Sequence, residues 1–385
     1  MIGQTTSDKT VRFKTTPQKT QFMKELTKRI NAYFKEKNMS QHANAAMIIK
    51  TIIVLLSWVG VYTLIMSDIL SPHPFLLILA FTLLGFVNIT IAFNIVHDAC
   101  HNAYSANPKV NKRLGLFMNF VGGNSYLFTM MHDAHHAFVN IHGIDVTLET
   151  HGMFRFTPHE PYEKKHRWQH FYTPFLYAMA YIHWVTVKDF KWFFGELHIG
   201  NTKNIKHPKS ELFILLSTKA LYYTLTLVLP LIFLHTSWWV IAIGWICIHI
   251  LPGLAFALLF QVTHVFDGTH YPLPDDGGNI ENNYAIHVLE TTADFGRRNP
   301  LTNWWSGCIN IHVIHHIYPR ICHIHYPELT KILAQTAKDF GLEYQENPNF
   351  IVAFRKHMQI LKHLSKEDAT VEQYRTAPDA VPASV

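Results

Sequence analysis

Apolar residues in this chain are gathered into blocks. Four nearly uncharged runs, Met47 to Met66, Phe75 to Val96, Leu212 to Leu234 and Trp238 to Val262, each reach the roughly 20 residues that an α-helix needs to cross the hydrocarbon core of a bilayer. They predict four membrane helices arranged as two hairpins. The first pair is joined by a short stretch with Pro72 and Pro74, the second by His235, Thr236 and Ser237. Packing inside a soluble helical bundle would not demand such runs in closely spaced pairs.

Weaker patterns lie between and around these blocks. Phe22, Leu26, Ile30, Tyr33 and Phe34 recur at helical spacing among lysines and arginines, which predicts an amphipathic helix lying in the membrane interface or packed on the same protein. Two shorter apolar pieces, Leu114 to Met131 and Phe171 to Val187, read as helices in the interface or against the protein core. Pro327 opens a helical run from Glu328 to Phe340, and another follows Asn349. Residues 1–20 and 366–385 are polar and are expected to be disordered. The organisation expected is an N-terminal segment (1–46), a membrane domain (47–263) with a cytoplasmic insertion (97–211), a cytoplasmic C-terminal cap (264–365) and a tail (366–385).

Charge sets the expected orientation. Of the 33 Lys and Arg, 10 lie in residues 1–50, 12 in 97–211 and 10 after residue 263, with Lys219 alone elsewhere. Basic residues flanking membrane helices stay on the cytoplasmic side, so both termini and the long central segment are placed there. Charged residues make up only 16% of the chain, below the usual quarter or so. The net charge of +6 suits an anionic leaflet, and no basic block interleaved with aromatics suggests nucleic acid. The polar N-terminus and full-length first span argue against a cleavable signal peptide. Four cysteines without CxxC spacing predict no disulfide framework, and Cys100 is read as a filler within its cluster.

The candidate chemistry is histidine. Three clusters lie outside the apolar runs: His97 and His101; His132, His135 and His136; His312, His315 and His316. On a helix such spacings share a face. Eight imidazoles exceed what one structural zinc takes and suit two metal ions that keep positions open for a reacting molecule. His264 is expected as a ninth ligand, because it ends the fourth span at the depth where the clusters emerge and sits on a rigid helix; His287 is the reserve candidate. Gln261, one turn before His264, is expected to face the same way. Asp98 and Asp133 each follow the first histidine of a cluster, where a carboxylate can accept the second ring N–H of a histidine from another cluster. His166, His170, His323 and His325 are expected to be structural or to support the ligands.

These stretches resemble the membrane fatty acid desaturase family, in its acyl-CoA and front-end branch with bacterial linoleoyl-CoA desaturase-like members. The likeness runs through VHDACHNAYSANPKVNK from Val96, GGNSYLFTMMHDAHHAFVNIHGID from Gly122, FQVTH ending at His264, HVLETTADF from His287 and CINIHVIHHIYPRICHIHYPEL from Cys308. Front-end members usually begin the third box with Gln, where this chain has His312; Val139 and Thr147 likewise stand where that branch often has Thr and an acid. The resemblance implies an all-α integral membrane protein: four transmembrane helices with a cytoplasmic helical cap holding a histidine-rich di-metal site. It implies two iron ions, dioxygen as co-substrate, and removal of two hydrogens from a long-chain acyl substrate, carried by coenzyme A or linked to lipid. It also supports a metal-binding histidine at His264 and supporting roles for Asn140 and Asp145. No His-Pro-Gly-Gly haem motif occurs in the sequence, so a separate electron donor is expected, a ferredoxin or cytochrome b5 with its reductase.

The residues agree with a redox metal, since no side chain acting as acid or base breaks an aliphatic C–H bond, and neutral imidazoles suit iron. A long alkyl chain needs a narrow apolar tunnel, and Arg155, Lys164, Lys165 and Arg167 are candidates for carrier phosphates. Three alternatives stay open at this point. A hydroxylase would use the same scaffold, a zinc-dependent membrane hydrolase would need three histidines and a water, and a metal transporter would place ionisable residues deep in its spans, where Lys219 and His249 lie.

Overall fold

All four apolar runs are helices: Ala45–Met66, Pro74–Cys100, Lys209–Phe233 and Trp238–His264. The computed structural model describes residues 10–14, 17–148, 150, 152–195, 199, 201–202 and 205–369. Asn44 caps the first span, its side chain accepting from the Met47 N–H at 3.0 Å, and Pro74 opens the second, where its missing N–H costs nothing. The second span runs past Val96 and carries His97 inside the helix; the fourth ends on His264.

The second and fourth spans pack closest. A Cβ at Gly85 would stand 2.0 Å from the Ile248 carbonyl oxygen, so only glycine lets the two backbones approach this far. The outward faces carry Leu56, Phe75, Phe213 and Trp238, each more than 60% exposed, an apolar belt that water would not tolerate and lipid does. At one end the two hairpin turns are tied together. Asp68 accepts from the His235 backbone N–H at 2.8 Å and faces its ring Nδ1 at 2.6 Å, so both turns lie on the same side of the bundle.

Shorter helices gather at the opposite end. Helix Pro17–Glu36 lays Phe22, Leu26, Ile30 and Phe34 into a core with Leu329, Leu333 and Ala337 of helix Tyr326–Asp339, and Arg29 pairs with Asp339 at 2.6 Å. Of the two expectations for this amphipathic helix, packing on the protein is the one found. Part of the N-terminal segment expected to be disordered is ordered as well: Arg12–Phe13 pairs in parallel with Asn279–Ile280, with Val11 buried beside Ile141 and Ile280. Residues 1–9 and 370–385 lie outside the described residues. Lys366 to Ala369, assigned to the tail, are held by the chain: the Lys366 carbonyl accepts from Arg155 at 2.7 Å and Ala369 is buried.

The central segment is broken into short pieces. Leu114 to Met131 contains parts of Pro108–Gly115, Phe117–Phe120 and Ser125–Ala137, and the piece from Phe171 spans Gln169–Ala178, Ala180–His183 and a π-helical turn at Trp184–Lys188. Tyr181 and Val185 pack with Leu259 and Val262 of the fourth span. Two further π turns interrupt the second and third spans at Ala92–Val96 and Thr224–Val228. Lys219 on the third span is buried, giving its ammonium to Asp189 at 2.7 Å and to the Gly122 carbonyl at 2.6 Å. His249 is likewise satisfied, by the Trp245 carbonyl and the Tyr222 hydroxyl. Lys50, by sequence counted with the N-terminal charges, lies one turn inside the first span and is buried.

Candidate metal centre

Nine histidines meet where the second and fourth spans end, none more than 8% exposed. They form two adjoining groups: His97, His101, His132, His136 and His315 in one, His135, His264, His312 and His316 in the other. Within each, the potential ligand atoms lie within 4.8 Å of one another. The sequence clusters do not map one to a group. On helix Ser125–Ala137, His132 and His136 are four apart and share a face, whereas His135 turns to the second group; on helix His312–Ile317, His315 joins the first group and its two neighbours in the pattern join the second. The groups touch through the His136 and His316 rings, 4.3 Å between centroids.

The ring nitrogens that face inward have little to bind but each other. His264 Nε2 stands 3.2 Å from His135 Nε2, 2.9 Å from His312 Nε2 and 3.3 Å from His316 Nε2. Nε2 of His97, His101 and His315 has no hydrogen-bond partner among the described residues. Their outward nitrogens are occupied in several cases. His135 Nδ1 faces both Asp145 oxygens at 3.0 Å, His312 Nδ1 the Ile309 carbonyl at 2.9 Å and His315 Nδ1 the Tyr326 hydroxyl at 3.3 Å. Placing the proton on Nδ1 leaves the Nε2 lone pair aimed inward, the tautomer a metal ligand needs. Burial pushes His101 down to about 4 and His312 to about 3, and lowers His132, His136, His315 and His316 as well. These rings are therefore neutral near pH 7, free to donate electron pairs. The donor set fits metal cations.

Asp145 is buried and accepts three further contacts beyond the ring itself from neighbours in the loop: Asn140 N–H at 2.8 Å, and the Thr147 N–H and hydroxyl at 2.9 and 2.8 Å, with the Thr147 hydroxyl also 3.1 Å from His135 Nδ1. Asn140 adopts φ +55°, a left-handed conformation that Asn tolerates better than most residues. From there its amide reaches the His264 carbonyl at 2.8 Å and the Thr291 carbonyl at 3.0 Å, tying the second box to the end of the fourth span.

Other candidates lie elsewhere. Asp133 is 59% exposed and 3.9 Å from His101 Nδ1, too far for a hydrogen bond. Asp98 turns to His323 Nδ1 at 2.9 Å and to the Cys322 thiol, so it serves a histidine outside the boxes. Gln261 is half-buried, and among the described residues its side chain makes no hydrogen bond to the histidines. His287 joins neither group; its Nε2 faces the Val139 carbonyl at 2.6 Å. Cys100 gives its thiol to the His97 carbonyl, consistent with a filler. Arg155 is buried among carbonyls of Pro158, Glu160, Leu364 and Lys366, which take four of its five N–H groups, so it acts as a structural clamp.

Asp294 is a residue whose part the sequence did not reveal. It accepts from the Val313 N–H at 2.9 Å, from Thr330 and from the Tyr344 hydroxyl, fixing the first turn of the helix that carries His312. Burial raises it to about 6.

The Fatty acid desaturase family model matches residues 72–348. The chain belongs to the fatty acid desaturase family. It is 34% identical to the sn-1 linoleoyl-lipid 6-desaturase of Synechocystis sp. over 91% of this chain and 97% of that protein. The sn-1 linoleoyl-lipid 6-desaturase of Arthrospira platensis is 31% identical over 91% of this chain and 95% of its own length, and the acyl-lipid (8-3)-desaturase of Physcomitrium patens 29% over 87% and 69%. This desaturase is thus a membrane oxidoreductase acting on fatty acyl chains, and the hydrolase and transporter alternatives fall away.

Proposed function

We propose that the two histidine groups each hold an iron ion and that the enzyme desaturates a long-chain acyl group carried on a membrane lipid. The observation that carries this reading is the convergence of nine buried imidazoles into two touching groups, with Nε2 of His97, His101 and His315 unpaired among the described residues and the other inward nitrogens facing one another. Iron bound there would supply the redox chemistry by which dioxygen removes two hydrogens from an unactivated chain. His97, His101, His132, His136 and His315 are assigned to one ion, His135, His264, His312 and His316 to the other. Asp145, the Ile309 carbonyl and Tyr326 hold ring protons on the outward nitrogens, and Asn140 fixes the backbone of His264.

The substrate end of the reading rests on two supports. The Synechocystis and Arthrospira relatives are named as acting on a linoleoyl lipid. A small, largely apolar crevice of ≈ 20 Å³ also lies on the membrane side of the histidines, lined by Ile89 and Ala92 of the second span and by Met118, Trp184 and Phe256; its walls would have to part to admit an acyl chain there. Reducing both oxygen atoms to water takes two electrons and two protons beyond the two substrate hydrogens. A separate ferredoxin, or cytochrome b5 with its reductase, is the donor class proposed. The basic-residue count supports a cytoplasmic position for the histidine end and both termini.

Expression in a host of known fatty-acid composition, followed by mass spectrometry of its lipids, tests the reading. Desaturation removes two hydrogens from an acyl chain, and metal analysis should find close to two irons per chain. Products that gain an oxygen atom would mean hydroxylation, and full activity with zinc alone would overturn the proposed chemistry.

A further inference from the structure

Beside the histidine site lies a cavity of ≈ 670 Å³, within the roughly 300–1,000 Å³ typical of small-ligand sites. Lys50, Arg297, Arg298 and Lys331 line it, and no carboxylate does among the described residues. Two of these cations are balanced from outside the cavity, Arg297 by Glu346 and Lys331 by Glu328, each at 2.6 Å. Arg298 is exposed and has no ion pair among the described residues. Lys50 is 4% exposed, and among the described residues its ammonium hydrogen-bonds only to the His323 ring, 3.0 Å away at Nε2, with the Trp304 ring at 5.4 Å.

The His323 contact defines what the ammonium still lacks. Asp98 takes the His323 Nδ1–H at 2.9 Å, which leaves Nε2 with its lone pair as the acceptor for Lys50. One of three ammonium protons is thereby used. A buried cation with no carboxylate in contact is expensive unless an anion completes its surroundings. The mouth of the cavity is mixed: Arg298, Pro300 and Lys331 are exposed there beside Trp304, which is 45% exposed, and Leu301, next to Pro300 in the chain, is 79% exposed. Because Lys50 sits one turn inside the first span, this mouth lies at the level where lipid head groups meet the membrane surface.

We propose that this cavity binds the phosphodiester head group of an anionic membrane lipid that carries the acyl substrate. The inference rests on the acyl-lipid reading above. Lys50, together with the unpaired guanidinium of Arg298, would bind the phosphate oxygens through charge-assisted hydrogen bonds. The contact chain Lys50, His323, Asp98 ends one residue from His97, so the head group and the reacting part of the chain would be held by one connected set of side chains.

Thermal unfolding of the purified full chain in neutral detergent tests this without requiring turnover. The probes are dioctanoyl phosphatidylglycerol, dioctanoylglycerol, coenzyme A and inorganic phosphate. Saturable stabilisation by the phosphatidylglycerol, well beyond that by the uncharged diacylglycerol, supports the site. Arg298→Gln, on the exposed rim, should weaken it roughly tenfold, and Lys50→Met should abolish it. Equal stabilisation by the diacylglycerol, the full effect from inorganic phosphate alone, or unchanged affinity in Arg298→Gln would overturn the proposal. Stabilisation by coenzyme A but not by phosphatidylglycerol would assign the phosphate to a soluble carrier and overturn it as well. Wild-type protein that binds phosphatidylglycerol as expected but forms no unsaturated product would refute the desaturation reading while leaving this site standing.

Discussion

Replacing Asp145 by Asn keeps the shape of the side chain and removes its charge. Each carboxylate oxygen accepts a backbone N–H, Oδ1 from Thr147 and Oδ2 from Asn140, and both face His135 Nδ1. Whichever way the new amide turns, its NH2 opposes one of those donors. A hydrogen bond to a charged group contributes about 1.5–3 kcal/mol, which at about 1.4 kcal/mol per factor of ten predicts roughly 10- to 100-fold weaker metal binding, the range seen for partners of metal-ligating histidines. His135 belongs to one group only, so the loss should be selective. After dialysis against a chelator, Asp145→Asn should retain the ion of the first group and lose that of the second, with turnover falling by a similar factor. Asp133→Asn is the matched control: its carboxylate follows a box histidine in the same way but is 59% exposed and makes no bond to a ring. It should change activity less than about twofold. Wild-type iron and turnover in Asp145→Asn, or an equal loss in Asp133→Asn, would refute the reasoning.

Three other predictions follow from the same geometry. His264→Ala should remove most of the activity and part of the iron, because His264 Nε2 lies near three other rings, whereas His325→Ala, whose ring faces the His42 carbonyl, should cost far less; metal analysis and product yield separate them. Lys219→Met strands the buried Asp189 carboxylate and should cost about 3–5 kcal/mol, read as a lower Tm, with Asp189→Asn restoring part of it; an unchanged Tm in the single variant would contradict the buried pair. The metal-free protein should lose stability as pH falls from about 6.5 toward 4: histidines with folded values near 4 and 3, such as His101 and His312, stay neutral while the unfolded chain takes up protons, so their contribution is present above the unfolded value and lost below it. Asp294, raised to about 6, acts in the opposite sense between about 4 and 6, as one group against several. A Tm that rises on acidification would contradict the neutral-imidazole picture.

Membrane spans were legible because each signal is local: a run of about 20 apolar residues needs no partner to declare itself. The histidines were legible for the same reason, as short patterns with fixed helical spacing. What stayed hidden depends on contacts distant in sequence. Nothing around His323 announces Asp98, 225 positions away, and Lys50 counted as a flanking charge until the fold buried it beside that pair. The division of each box between two groups was hidden too, because it turns on how helices Ser125–Ala137 and His312–Ile317 are rotated about their axes. Asp145 was flagged by family likeness; its hold on His135 became visible only in the loop that folds back from Asn140. Asp294, within the matched HVLETTADF stretch, gave no sign by itself that it caps the helix of the third box.

The π turn at Ala92–Val96 acts as an indexing device for the second span. There the His97 N–H reaches back to the Ala92 carbonyl, five residues away instead of four, and the Asn94 amide supplies a bond to the Thr90 carbonyl at 2.8 Å, covering an acceptor that the widened turn disturbs. One residue more than an α-helical turn requires is accommodated without breaking the helix. Each residue of an α-helix advances the chain by about 100° of rotation and 1.5 Å of rise. Deleting a single residue in this turn would close it to an ordinary α turn, leaving an unbroken apolar span with His97 and His101 aimed nearly as before. The turn therefore shifts by one residue the register between sequence and helix face: across it a five-residue spacing shares a face, where in the regular helix on either side a four-residue spacing does.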